Sequence, residues 1–128
     1  DLESAKAIGL ADPNRRVDSL SGGNVQRLMI VRSLVSDPHV VVACYPTRGL
    51  DLFSVSTTHK LLFEQAEKGA AVLFISEDLD ELFTVSDRLI VLHGGELAGD
   101  LKPSETTRSE VGAMMLGQHE AEEAAAIG

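Results

Sequence analysis

Apolar and polar positions divide the chain into short apolar runs that alternate with longer amphipathic segments. Apolar residues recur at helical spacing from Ser21 to about Ser36, and this segment stops at Asp37-Pro38, because proline disfavours helical backbone in the preceding residue. A β-branched run at 39–45 follows, of the kind that forms a strand buried on both faces. Helical spacing returns over 51–69, with Asp51 as the expected N-cap, and a second apolar run occupies 70–75. This order predicts a βαβ unit with parallel strands and a right-handed crossover.

The segment after Ser21 carries more apolar surface than a helix covered on one side needs. Ser21 is a preferred N-cap residue type, whose hydroxyl can accept from the amides of the first turn. We expect a helix covered on two sides. One side holds Val25, Leu28, Met29 and Val35, and further apolar surface comes from Ile30, Val31 and Leu34.

The second half of the chain predicts a hairpin rather than another parallel strand. A helix is expected to follow the polar run at 76–81. The glycine pair 94–95 is a turn dipeptide between the runs 87–93 and 96–101, which predicts two antiparallel strands. A capping box that begins at Thr107 then predicts a short last helix.

Composition and charge narrow the classes of protein to which the chain can belong. Its 128 residues, 44% of them apolar, suffice for one domain with a core. The net charge of −9 argues against a nucleic-acid surface, which needs Lys and Arg to neutralise phosphates. The single cysteine, Cys44, excludes an internal disulfide and fits a reducing compartment. No apolar run approaches the length of a membrane span, so we expect a cytoplasmic protein without nucleic-acid partners.

The two ends of the chain differ from its centre. Residues 1–9 look like the end of a helix and begin at Asp1 without a methionine, so we expect a piece of a longer protein. The tail 118–128 holds glutamates among alanines and has no evident packing partner, which predicts a frayed end. We therefore assign residues 1–117 to one domain and 118–128 to a tail.

The run Ser21-Gly22-Gly23 has the composition of an anion-binding turn. Glycine lacks a Cβ, so a phosphate oxygen can approach the backbone closely. The amides of the first turn and the positive end of the helix dipole then favour the anion. Taken alone, this run is more often a plain loop with a helix cap.

Three further motifs follow the Ser-Gly-Gly run in a fixed order. They are the strand at 39–45, the turn Pro46-Thr47-Arg48-Gly49-Leu50-Asp51, and the run Ser76-Glu77-Asp78-Leu79-Asp80-Glu81. The set resembles the signature motif, Walker B strand, D-loop and switch region of ATP-binding cassette (ABC) transporter ATPases. The resemblance covers residues 17–117 and implies an α/β fold, the C-terminal portion of a P-loop NTPase-like nucleotide-binding domain. Its sheet would be mostly parallel, flanked by helices, with a late β-hairpin.

By this resemblance, the chain's own hydrolytic site is degenerate. The family's Walker B aspartate, catalytic glutamate and switch histidine are matched by Cys44, Tyr45 and Glu77. A cysteine offers no carboxylate to hydrated Mg²⁺, and a tyrosine is a poor general base at neutral pH. The sequence also contains no Walker A motif. We expect no intact catalytic residue and no metal site, and therefore no hydrolysis by this piece alone.

The intact signature implies a role in a partner's site. In this family two cassettes pair head to tail, so Ser21, Gly22 and Gly23, with Gln26 nearby, would contact ATP held by the partner. The D-loop between the cassettes would contain Gly49, Leu50 and Asp51. The implied cofactors are ATP and Mg²⁺ in the full assembly. The implied partners are a second cassette, transmembrane permease subunits and, indirectly, a substrate-binding protein, at the inner face of the cell membrane.

The sequences of the D-loop and the switch region most resemble those of the second cassette of tandem importers for simple sugars or nucleosides. Three other functions remain open. A non-transport ABC ATPase acting on ribosomes or DNA would be helped by a basic surface, which the acidic balance opposes. A dimerisation module would retain the fold with a vestigial signature, and a flavodoxin-like domain explains the element order alone.

Several isolated residues have structural interpretations that we favour over functional ones. Cys44 in an apolar strand is more often a small buried apolar residue than a nucleophile. The acidic residues between Glu77 and Glu81 fit a solvated helix N-terminus better than a cation site. Met114 and Met115 are expected to fill the core. The four histidines show no metal-ligand spacing.

Overall fold

The computed structural model of the chain describes residues 16–117. These residues form two compact units that divide between Ile75 and Ser76. The predictions made for residues 1–9 and 118–128 lie outside the described residues. The first unit contains a 3-10 turn at Val17–Ser19, α1 at Gly22–Leu34, β1 at Val40–Cys44, α2 at Leu52–Glu67 and β2 at Ala71–Ile75. The second contains α3 at Leu79–Val85, β3 at Leu89–His93, β4 at Glu96–Leu101, a 3-10 turn at Pro103–Glu105 and α4 at Arg108–Met115.

The first unit is the βαβ arrangement that the sequence predicts. Strands β1 and β2 pair in parallel, in a register that runs from Val40 opposite Ala71 to Cys44 opposite Ile75. Helix α2 connects them and packs against α1 and β2. Its buried residues are Ser54, Thr58, Leu62 and Gln65. Gly69 ends the helix region with a φ of 97°, which a residue without a Cβ adopts easily.

The prediction that the first strand is buried on both faces is wrong. Val40 and Val42 are 63% and 62% exposed, and Leu73 on β2 is 49% exposed. Alternate positions of both strands are half-buried, because successive side chains of a strand point to opposite faces. Only one face of this sheet is covered within the described residues. Cys44 is consequently exposed, not the buried apolar residue that we expected.

Helix α1 differs from its prediction in cover and in length. Of its residues only Leu34 is buried, whereas Met29 is 65% exposed, so the expectation of cover on two sides is wrong for the described residues. The helix also ends at Leu34 instead of continuing to residue 36. Asp37, which precedes Pro38, adopts a φ of 46° and turns the chain towards β1.

The second unit is built on the predicted hairpin. Strands β3 and β4 pair antiparallel around Gly94 and Gly95, with an irregularity between Val91 and Leu92. Helix α4 begins with the predicted capping box, since Thr107 accepts from the amide of Glu110 and Glu110 accepts from the amide of Thr107.

The core of the second unit lies between the hairpin and its helices. Leu89, Val91 and Val111 are buried there. Met114 and Met115 pack against them, which confirms the prediction that the two methionines fill the core. Gly99 of β4 allows this packing, because a Cβ at that position would lie 2.7 Å from the sulfur of Met114.

None of the helices among residues 16–117 combines the length and the apolar character that crossing a bilayer requires.

Candidate functional site

Ser21 lies at the N-cap of α1, as the sequence predicts, but its hydroxyl does not cap the helix. The backbone carbonyl of Ser21 accepts from the amides of Asn24 and Val25, at 2.9 and 3.0 Å. Its side chain makes no capping hydrogen bond, so the prediction of a hydroxyl cap is wrong. The amides of Gly22 and Gly23 belong to the first turn, where no intrahelical acceptor exists. The N-terminus of α1 therefore combines the positive end of the helix dipole with these two amides.

The two glycines of the Ser-Gly-Gly run have different surroundings. A Cβ built on Gly22 would meet no atom within 4 Å. A Cβ built on Gly23 would lie 3.1 Å from Oγ of Ser54 and 3.8 Å from Oδ2 of Asp51. Gly23 thus permits close packing of α1 against the start of α2, whereas Gly22 leaves open space beside the backbone.

Gln26 connects α1 to the loop that follows β1. Its side-chain amide donates to the carbonyl of Pro46, a buried residue. The sequence resemblance implies a position for Gln26 near a nucleotide, and the structure shows its side chain bound to this loop. The contact holds the loop against α1.

Asp51 caps α2, as the sequence predicts. Its carboxylate accepts from the amide of Ser54 at 3.0 Å and from the hydroxyl of Ser54 at 2.7 Å. These bonds favour the ionised form, so the hydroxyl first and the amide second hold the pKa of the Asp51 carboxyl below its ordinary value. Gly49, two residues before Asp51, has a φ of 74° and allows the loop to turn. Leu50, the residue between them, donates its amide to the carbonyl of Thr47 at 3.1 Å.

Arg27 and Ser54 contact these residues, although the sequence pattern by itself indicates no role for either of them. Nη2 of Arg27 donates to Oγ of Ser54 at 2.9 Å. Ser54 is only 1% exposed, and the guanidinium of Arg27 lies 5.2 Å from the ring centre of Phe53. The position of Ser54, three residues after the N-cap Asp51, is the spacing at which side chains bond back to a cap. This spacing is the feature of the sequence from which a contact between Ser54 and Asp51 could have been predicted.

Two of the positions that the resemblance implies to be degenerate lie at the carboxyl end of β1. Cys44 is the last residue of the strand and is exposed. Tyr45 adopts a φ of 49°, an uncommon backbone conformation for a residue with a bulky side chain. Its amide donates to the carbonyl of Ile75 at 2.8 Å, and its ring faces the guanidinium of Arg48 at 5.5 Å. Neither side chain supplies a carboxylate at this end of the sheet.

Glu77, which the resemblance matches to the switch histidine, is an exposed residue of the second unit. The neighbouring acidic residues form the N-terminus of α3. Asp78 caps the helix by accepting from the amide of Glu81, and Glu81 accepts from the hydroxyl of Ser76. Asp80 forms an ion pair with Arg108. These contacts agree with the helix-terminus interpretation, and the part of the chain that the structure describes contains no cluster of three metal-ligating side chains.

Curated relatives of the chain are ATP-binding proteins of importers. The nucleoside import ATP-binding protein NupA of Lactococcus lactis subsp. cremoris is 43% identical over 99 residues, which are 77% of this chain and 20% of that protein. The guanosine import ATP-binding protein NupO of Bacillus subtilis is 40% identical over 110 residues, 86% of this chain and 22% of that protein. The glucose import ATP-binding protein TsgD13 of Haloferax volcanii is 38% identical over 98 residues, 77% of this chain and 18% of that protein. The chain spans about a fifth of the length of these relatives.

A solved structure of the ATP-binding subunit of an ABC transporter has the same fold. It superposes with a TM-score of 0.76 and 19% identity, over 89% of this chain and 52% of that chain. No protein-family model matches the chain. The motif order, the α/β fold with its parallel pair and hairpin, and the relatives agree. The chain belongs to the family of ABC-transporter ATP-binding proteins.

Proposed function

We propose that the chain is part of the ATP-binding protein of an ABC importer for a nucleoside or a simple sugar. In this role its signature run contacts ATP held by a partner cassette. The importer names of the relatives support the transported class. The N-terminus of α1 supports the role of the signature.

The single observation that carries the proposal is the difference between the two glycines. Gly22 borders open space, next to a serine hydroxyl that makes no cap bond and to two first-turn amides. Such a helix N-terminus can stabilise the charge on a terminal phosphate. Gly23 packs against Ser54 of the same chain, and this contact supports the turn on the side away from the open space at Gly22.

The chain's own residues do not fit a complete MgATP site. Cys44 and Tyr45 stand where a hydrated Mg²⁺ and an attacking water need carboxylates. We infer that ATP and Mg²⁺ are held mainly by the partner cassette and that this chain's own site does not hydrolyse. The partners are then that cassette, the permease subunits and, indirectly, a substrate-binding protein, at the cytoplasmic face of the membrane. Nucleic acid is not among them.

The test is steady-state ATPase activity of the transporter complex that contains this chain, with Gly22→Asp against wild type. The new carboxylate would face the partner's γ-phosphate, and repulsion would oppose closure. We expect turnover to fall at least about a hundredfold while ATP binding is retained, which is the range seen when an oxyanion donor is lost. Met29→Asp is the matched control, because it adds the same charge at an exposed position of the same helix.

Unchanged turnover with Gly22→Asp would contradict the proposal. It would favour the alternative of a non-catalytic dimerisation module derived from a cassette. The apolar sheet face formed by Val40, Val42 and Leu73 is the observation that supports this alternative, because exposed apolar patches mark interaction surfaces.

A further inference from the structure

Three side chains form a hydrogen-bonded chain between α1, the helix that begins at the Ser-Gly-Gly run, and the D-loop. Arg27 of α1 donates to the hydroxyl of Ser54, and this hydroxyl donates to the carboxylate of Asp51. The direction is fixed, since a guanidinium only donates, an ionised carboxylate only accepts, and a hydroxyl has one proton. Ser54 therefore accepts from one partner and donates to the other at the same time.

The signature turn, which is the backbone at Ser21, Gly22 and Gly23, also packs against Ser54. A Cβ on Gly23 would lie 3.1 Å from its Oγ, so the backbone of the turn passes close to the hydroxyl. At 1% exposure the hydroxyl is shielded from water, and hydrogen bonds in such surroundings are stronger than at the surface. The amide of Ser54 adds a further bond to Asp51, at 3.0 Å. One buried side chain thus contacts both elements that the proposed function places at the partner cassette.

We propose that Arg27 and Ser54 are positioning residues, which hold the signature turn and the D-loop of this chain as one unit. This inference rests on the proposed function, because it matters to turnover only if Ser21 and Gly22 contact the partner's nucleotide. Neither residue touches the nucleotide in this scheme. They act through the turn at Gly23 and through Asp51, whose carboxylate they orient.

The physical reason is the precision that charge stabilisation requires. Donors aimed at a phosphate act only within about 0.5 Å of the productive geometry, so a turn that shifts against the D-loop loses turnover. Ground-state ATP binding on the partner's P-loop does not depend on this alignment. Loss of the hydrogen-bonded chain is therefore expected to lower kcat and to leave KM for ATP nearly unchanged.

The experiment compares Ser54→Ala and Arg27→Met with matched controls in the complete transporter complex. Ser56→Ala removes an exposed hydroxyl from α2, and Arg32→Met removes an exposed guanidinium from α1. We expect kcat to fall at least about tenfold in the two test variants, from the loss of a hydrogen bond to a charged group. KM for ATP is expected to change less than about twofold, and both controls are expected to keep wild-type values.

Rescue and additivity separate positioning from simple support of the fold. Arg27→Lys keeps a charged donor and is expected to recover part of the kcat lost in Arg27→Met. The double variant Ser54→Ala/Arg27→Met is expected to lose no more than either single variant, because either change breaks the same chain of bonds. Additive losses would mean independent effects and would overturn the proposal. So would a fall in melting temperature and ATP binding that Arg27→Lys does not restore.

Gly22→Asp, measured in parallel, separates this inference from the proposed function. If Gly22→Asp abolishes turnover while Ser54→Ala retains it, the positioning role is overturned and the proposed function stands. If Gly22→Asp leaves turnover unchanged, the proposed function fails. Amide exchange at Gly22 and Gly23 then decides the inference, since faster exchange in Ser54→Ala than in Ser56→Ala supports the coupling and equal exchange overturns it.

Discussion

At the scale of single residues, neighbouring positions of one motif have different physical roles. Gly22 and Gly23 are adjacent residues of the same type, yet Gly22 borders open space and Gly23 packs against Ser54. Thr57 and Thr58 differ in the same way. The hydroxyl of Thr57 donates to the carbonyl of Phe53 at 2.9 Å, whereas the hydroxyl of Thr58 has no partner among the described residues. The contacts that each of these residues makes are therefore decided by its position in the fold and not by its residue type.

Thr58→Val is expected to stabilise the chain. Thr58 is fully buried, and an unsatisfied buried hydroxyl costs about 1–3 kcal/mol, which valine of the same shape avoids. We expect the free energy of unfolding in a urea titration to rise by about 1 kcal/mol. Thr57→Val is the control and is expected to bring no gain, because it removes a hydrogen bond that is made. A loss of stability in Thr58→Val would show that the hydroxyl has a partner.

At the scale of elements, an ion pair connects the residue before β3 to β4 in the hairpin of the second unit. Arg88 precedes β3 and donates twice to the carboxylate of Asp100 on β4, at 2.7 and 2.6 Å. The hydrogen bonds and the charge of Arg88 hold the pKa of the Asp100 carboxyl below its ordinary value, and Asp100 raises the pKa of Arg88. The pair is exposed, so its contribution is small and sensitive to salt.

This ion pair predicts a pH dependence of stability with a defined sign. Because the pKa of Asp100 is lowered in the folded state, its contribution is present above the ordinary aspartate pKa of about 3.9. The contribution is lost as the pH falls from there through the folded-state pKa. Urea titrations at several pH values are expected to show a shallower acid loss in Asp100→Asn than in wild type.

Asp87→Asn provides the control for this prediction. Asp87 is exposed and makes no ion pair within the described residues, so its replacement removes the same charge without the pair. Equal acid profiles for wild type and Asp100→Asn would contradict the prediction. A profile altered to the same degree by Asp87→Asn would assign the effect to net charge.

At the scale of the whole molecule, the resemblance implies an intact signature run beside a hydrolytic site without its acids. Cys44 ends β1 and Tyr45 follows it, at the two positions where the resemblance implies acids, and the sequence holds no Walker A motif. The chain spans about a fifth of its relatives' length. We therefore expect nucleotide contact to require a partner cassette, and not the residues of this chain alone.

A calorimetric titration of the chain with MgATP tests this expectation. We expect weak binding or none, because a helix N-terminus without a P-loop lysine or a Mg²⁺ ligand makes too few contacts. The same titration of the transporter complex is expected to show binding, which serves as the positive control. Tight one-to-one binding to the isolated chain would contradict the prediction.

Much of the local structure was predictable from the sequence, because it depends on neighbouring residues. Asp51 as the cap of α2, the capping box at Thr107 and the turn at Gly94 each follow from backbone preferences over a few positions. Burial was predicted less well. The apolar run of β1 has the composition of a doubly buried strand, but burial depends on elements that cover it, and one face of this sheet is uncovered within residues 16–117.

The order of the elements, the family resemblance and the presence of Cys44 and Tyr45 at the end of β1 could all be read from the sequence. These properties reside in residue types at fixed spacing, which no tertiary contact can change. The open space beside Gly22, the close packing of Gly23 and the contact of Arg27 with Ser54 depend on how the helices pack together. Arg27 and Ser54 are 27 positions apart. The strand and loop between the two helices bring these residues together, and local preferences carry no information about that approach.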